Sequence, residues 1–297
     1  MTEKTKPKNQ MSLGRLAFIT GDAKVRVNKE MIIGGVIVAF FVVVAIAVTI
    51  ADILHITITP YNPDTPNVGP LFGPPSLAHP MGTDNLGRDQ LSRILAATPN
   101  AVVIGFVVVG FSLALGLIIG SFAGFHGGFA DEALMRLTDI FFAIPALVLA
   151  IAIVAALHAS LLNLMIALMI VWWPAYARLS RGETLKVSHQ NYIEAARTSG
   201  YGSARIIFRH VLPNIFVTLV VYATLDIGTV ILTYSGLSYL GLSVPPPAPD
   251  WGYMVASFGD SLLSDPWLPL FPGLLIAISV IGFSIFGDGF RDAISGN

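Results

Sequence analysis

The chain has 297 residues, 54% hydrophobic and only 12% charged, with a mean hydropathy of +0.73 and a net charge of −1. A soluble domain carries about 25% charged residues, so lipid is the solvent for most of this chain. No global basic field points to nucleic acid, and the absence of cysteine excludes disulfides and thiolate metal sites.

A helix needs about 20 apolar residues to cross a hydrocarbon core of ~30 Å. Stretches free of Asp, Glu, Lys and Arg therefore mark candidate spans. A basic tail, 1–30, precedes the first, at 31–51. Ala45-Ile46-Ala47 resembles a signal-peptidase site, but the apolar stretch is longer than the 7–15 residues of a cleaved h-region, so an uncleaved anchor is expected. A Pro-rich loop, 52–97, follows, then a core, 98–297. The second span is expected near 100–124, ended by Gly124, His126, Gly127 and Gly128. Between Asp139 and Arg178 the uncharged run is too long for one span, and His158, Ser160 and Asn163 lie mid-way, which predicts spans at 134–157 and 161–177 joined by a tight turn. The fifth is expected at 212–240 and the sixth at 269–287. Backbone in lipid must be hydrogen-bonded within its own segment, so the fold class is an all-α integral membrane protein with six transmembrane helices.

Of the 17 Lys and Arg, only Arg88 and Arg93 fall on the side opposite the two termini. The positive-inside bias predicts that both termini and the 178–211 loop are cytoplasmic. The opposite loops, 52–97 and 241–268, are rich in proline, which fixes φ and removes donors. They read equally as stiff spacers or as a surface for an extracytoplasmic partner.

The 178–211 loop contains Asn191-Tyr192-Ile193-Glu194-Ala195-Ala196-Arg197-Thr198-Ser199-Gly200. Ile193 to Arg197 reads as a short helix with small residues at Ala195 and Ala196, and Gly200 suits the left-handed position that ends one. A second short helix is expected to enter the fifth span at Leu212-Pro213, with Pro213 tolerated in its first turn. By composition alone this is either a knob for a cleft on another protein or an ordinary interfacial amphipathic helix.

Glu194, Ala195, Ala196, Gly200, Leu212 and Pro213 resemble, residue by residue, the EAA loop of ABC importer permeases. The chain departs from that pattern at His210, where an apolar residue is usual, with Val211 next. The resemblance extends over about residues 13–295. It includes His79-Pro80-Met81-Gly82-Thr83-Asp84-Asn85-Leu86-Gly87-Arg88-Asp89, Asp250-Trp251-Gly252 and Gly287-Asp288-Gly289-Phe290-Arg291-Asp292, which look like the dipeptide/oligopeptide branch and its C-type subunit. The resemblance implies one N-terminal helix before a five-helix permease core, in a cell membrane. It implies as partners a homologous second permease, two ATP-binding subunits docked on the coupling loop, and an extracytoplasmic substrate-binding protein. The cargo would be a di- or oligopeptide; the same branch also imports oligosaccharides and nickel chelates.

No Gly-x-x-x-x-Gly-Lys-Ser/Thr loop is present to hold ATP phosphates, so the chain is expected to bind no cofactor, with ATP and Mg in the partner ATPases. The six His show no metal-ligand spacing, and no catalytic constellation occurs. Asp226 lies mid-way along the fifth span, where a carboxylate costs roughly 2.5–3.5 kcal/mol and usually faces a cavity or a partner. Relatives, as the resemblance implies, more often carry the acid where this chain has Tyr234. Asp226 and Tyr234 are therefore candidate path residues. An interface bond and a merely tolerated polar site stay open for Asp226, as does an ion-coupled secondary transporter that would use it.

Overall fold

The computed structural model describes residues 28–295. Most of the expected tail, with six of its basic residues, lies outside the described residues. The regular structure of the described residues is all helical, with a single isolated bridge, Thr83 to Asp89, and no strand. Among the described residues five helices are long and apolar enough to span a membrane: α1 (Lys29–Ile53), α2 (Gln90–His126), α5 (Leu161–Ser188), the rod that contains α8 (Leu212–Tyr239), and α10 (Trp267–Ser295). Val36, Val43 and Ile118 lie exposed on them, as side chains in contact with lipid tails would.

The expected third span, 134–157, is not one helix. It is a pair, α3 (Gly128–Phe142) and α4 (Ala146–Leu157), bent by 82°. Pro145 supplies no N–H and disfavours helical backbone at Ile144, so the ladder stops there. Among the described residues the candidate membrane spans therefore number five, or six with the bent pair counted as one. The tight turn after it is built as expected. His158 takes φ +73, Ser160 caps α5 through the Asn163 N–H, and the Asn163 amide donates to the Leu157 carbonyl at 2.6 Å.

Other boundaries move outward. Helix α2 begins at Gln90, inside the expected loop 52–97, because Asp89 caps it by accepting from the Ser92 N–H at 2.8 Å. Gly124 is helical; the turn falls at Gly127 and Gly128, both with positive φ. Helix α5 continues past residue 177 to Ser188, so the first part of the expected 178–211 loop is helix.

Small residues set the packing. Gly116, Gly120 and Gly124 lie one turn apart on α2, and a Cβ at Gly116 or Gly120 would overlap the α5 backbone at Tyr176 and Ala177. Glycine lets the two backbones touch, the usual source of helix association in lipid. The order of these contacts makes α2 and α5 parallel, so the intervening bent pair carries the chain back. Gly34 meets the α10 backbone at Phe286 and Gly289 meets Met31, which sets α1 antiparallel to α10. Phe41 of α1 reaches the core and packs edge-on against Trp251 at 5.7 Å.

The Pro-rich loops fold into one cap at the opposite end. Arg93 donates to the Pro63 carbonyl at 2.9 Å and to the Pro247 carbonyl at 3.1 Å, tying the two loops together. Asp84 accepts from the Leu86 and Arg88 N–H groups and from the Arg88 guanidinium. Trp251, at the start of α9 (Trp251–Ser257), donates to the Ile94 carbonyl at 3.0 Å. The motifs Met81–Asp89 and Asp250–Gly252 thus build this cap.

Candidate functional site

At the end where α2 and α5 stop, the chain turns through α6 (Asn191–Thr198) and α7 (Ser203–Ile206) before α8. Helix α6 has eight residues, too few to hold its shape alone in water. Two things hold it. Ile193 and Ala196, three residues apart on one face, are buried in an apolar cluster with Phe125, Ile206, Ile207, Val211, Ile215 and Leu219. Beyond its end, Gly200 takes φ +80, its N–H donates to the Arg197 carbonyl, and the Tyr201 N–H donates to the Ala196 carbonyl. That pair of bonds is a Schellman stop, which satisfies orphan carbonyls and requires a left-handed residue at Gly200.

The six loop residues do not act alike. Glu194 and Ala195 are exposed on the outer face of α6, together with Tyr192, Thr198 and Ser199. Glu194 makes no side-chain hydrogen bond or ion pair among the described residues. Ala196 points the other way, into the apolar cluster, so the expected small-residue face is divided: Ala195 outward, Ala196 inward. Arg197 lies over the Phe125 ring at 4.8 Å, and Arg205 over the Tyr201 ring at 4.7 Å. Partial burial pushes the Tyr192 hydroxyl above its ordinary pKa.

Leu212 and Pro213 are half-buried at the start of α8. The junction differs from the expected separate short helix. Residues Ile207–Val211 form a π turn that joins α7 to α8 in one continuous rod. Proline lacks an N–H and crowds the carbonyl four residues back, and a widened turn relieves both problems. The departure at His210 has a simple place in this geometry. Val211 and Ile207 fill the apolar cluster, whereas His210 is half-buried and Phe208 is 72% exposed.

Two arginines brace the α5 segment leading into this loop. Arg181 grips Asp131 of α3 through two bonds of 2.5 and 2.6 Å, and Arg178 reaches Asp139 at 2.5 Å while covering the Phe142 ring. These contacts tie the C-terminal half of α5 to α3, the first half of the bent pair.

Asp226 sits on α8 facing α5. Its Oδ2 accepts from the Trp172 indole at 2.8 Å and from the Tyr176 hydroxyl at 3.1 Å. Trp172 and Tyr176 are four residues apart and so share a helix face. Tyr222, one turn before Asp226, packs edge-on against Tyr176 at 5.3 Å. Asp226 stands out in the sequence as a charge in an apolar run; the spacing of Trp172 and Tyr176 is visible there too, but their pairing with Asp226 across some fifty residues is not. Tyr234 belongs elsewhere. It is buried within the subunit, and its hydroxyl donates to Asp250, which also accepts from Ser238, Ser243 and the Gly252 N–H. It fastens α8 to the cap and lines no surface of this subunit. The structure does not bring Asp226 and Tyr234 together. Among the described residues no group of three or more His, Cys, Asp or Glu is placed to hold a metal.

Comparison with known proteins agrees with this architecture. The chain is 42% identical over 221 residues to the probable D,D-dipeptide transport system permease protein of Escherichia coli, covering 74% of each chain. It is 39% identical to the dipeptide transport system permease protein of Alkalihalophilus pseudofirmus, over 90% of this chain and 86% of that one. It is 35% identical to the oligopeptide transport system permease protein of Bacillus subtilis, over 97% and 90%. Its fold is similar to a chain of the inward-facing MetNI methionine ABC transporter, with TM-score 0.57 and 19% identity, over 68% of this chain and 96% of that one. Residues 116–296, more than half of the chain, match the model of a single family, and the chain belongs to it: the binding-protein-dependent transport system inner membrane components.

Proposed function

We propose that this chain is one of two homologous permease subunits of an ATP-driven importer for di- and oligopeptides, with both termini and the α6 elbow in the cytoplasm. The observation that carries the reading is the outer face of α6: Glu194 and Ala195 stand exposed on a helix stopped by Gly200 and rooted in the membrane domain by Ile193 and Ala196. Such a knob suits a groove on an ATP-binding subunit. Closure of two such subunits on ATP would push the knob, and the Arg181–Asp131 and Arg178–Asp139 bridges and the continuous α7–α8 rod would pass the displacement into the bundle. The two conformations shift only as far as nucleotide and substrate discriminate between them. A substrate-binding protein delivers cargo to the Pro-rich cap, and the Asp226 face of α8 lines the path beside the second permease. Peptide is preferred over oligosaccharide or nickel chelate as cargo because the relatives named above are peptide permeases.

Reconstitution tests this directly. Vesicles holding both permeases and both ATP-binding subunits, supplied with the loaded binding protein, should take up peptide on ATP after the proton gradient is collapsed. Uptake that follows the gradient and ignores ATP would establish an ion-coupled carrier instead.

A further inference from the structure

Along α8, Tyr222, Asp226, Thr229, Thr233 and Gly236 recur at intervals of four, three, four and three residues, which puts them on one helix face. Tyr222, Thr229 and Gly236 are exposed, and Asp226 and Thr233 are half-buried, so this polar stripe is a surface of the subunit. Asp226 spends only one oxygen on its neighbours: both Trp172 and Tyr176 donate to Oδ2. Its Oδ1 accepts nothing among the described residues, and no Lys, Arg or His there pairs with it. The donors it does have are neutral. The neighbours thus supply no positive charge, and Oδ1 is left open to a further donor. Beside it stands the Tyr222 ring, 39% exposed, and an aromatic face attracts a cation.

We infer that the Asp226 cluster is a subsite for a primary ammonium group, the terminal amine or a lysine side chain of the passing substrate. The inference rests on the proposed path along α8 and names what is recognised there. An ammonium carries a positive charge and three donors, enough to reach Oδ1 and still lie against Tyr222. A carboxylate or phosphate at the same point would meet the Asp226 charge unscreened. A cation supplied permanently by the second permease would fill the same oxygen and leave no subsite.

The chain contains no cysteine, so Thr229→Cys places a single thiol one turn from Asp226 on the exposed stripe. In the assembled complex, modification of this 31.7 kDa chain is followed with a cationic trimethylammonioethyl methanethiosulfonate and with its anionic sulfonatoethyl counterpart. Normalised to a free thiol, the cationic reagent should react about tenfold faster, the size of effect a nearby unit charge exerts at intermediate dielectric. Asp226→Asn should abolish that preference and Asp226→Glu should keep it. Reaction without charge preference while Asp226 is present overturns the subsite, whether a partner cation or a proton neutralises the carboxylate, and leaves the path standing. A thiol that reacts with neither reagent in any nucleotide state shows a face sealed from water, and overturns the path and the subsite together.

Discussion

Replacement of Gly200 isolates the backbone's part in coupling. The residue takes φ +80, and a Cβ there would meet nothing within 4 Å in this chain, so within the subunit a substitution is felt through the backbone. The left-handed conformation costs an ordinary L-residue roughly 1–2 kcal/mol, less for Asn and more for a β-branched side chain. Against this stands the anchoring of an eight-residue helix by one buried Ile and one buried Ala, with the Ile side chain contributing about 1.5–3 kcal/mol. The penalty is comparable with the anchor, and Gly200→Ala should lower the equilibrium constant for the seated helix about 5–30-fold. ATP hydrolysed per peptide imported, measured in proteoliposomes, should rise in the order Gly, Asn, Ala, Val, while the bundle still inserts. An Ala variant as well coupled as wild type, or Val and Asn indistinguishable, would refute the reasoning.

Glu194→Lys reverses the charge on the exposed face of α6, and it should raise ATP turnover per transport event with no change in the melting of the isolated permease pair. Gly120→Ala drives a Cβ into the α5 backbone, an overpacking worth about 1–3 kcal/mol, and should lower the melting temperature in detergent. Gly110→Ala, with nothing within 4 Å, should leave it unchanged. Tyr234→Phe strips a donor from the buried Asp250 and should destabilise the subunit by about 1–3 kcal/mol without altering which peptides are imported. A change in peptide preference there would return Tyr234 to the path.

Hydropathy made the long apolar helices legible, because lipid demands unbroken runs of about 20 apolar residues and the chain supplies them. The bent pair was harder. Its apolar run continues through Pro145, so a pattern of composition alone joins what the backbone separates. The α6 stop could be read from Gly200, since few residues other than glycine take that conformation cheaply. The division of Ala195 from Ala196 was latent in their helical phase relative to Ile193, but it needed the apolar cluster to show which side is in. Asp226 announced itself as a charge in lipid. Its aromatic partners, and the capture of Tyr234 by Asp250, depend on contacts between helices that no local pattern encodes.

Because the chain is naturally free of thiols, Ala195→Cys offers a reporter on the outer face of α6. It can be paired with single cysteines lining the groove of the ATP-binding subunit and oxidised in inside-out membrane vesicles. A disulfide-linked pair of this chain and the ATPase, whose yield changes between nucleotide-free and ATP-bound states, is the result expected. A thiol that labels only from the extracytoplasmic side, or that crosslinks to no ATP-binding subunit in either state, would contradict the account.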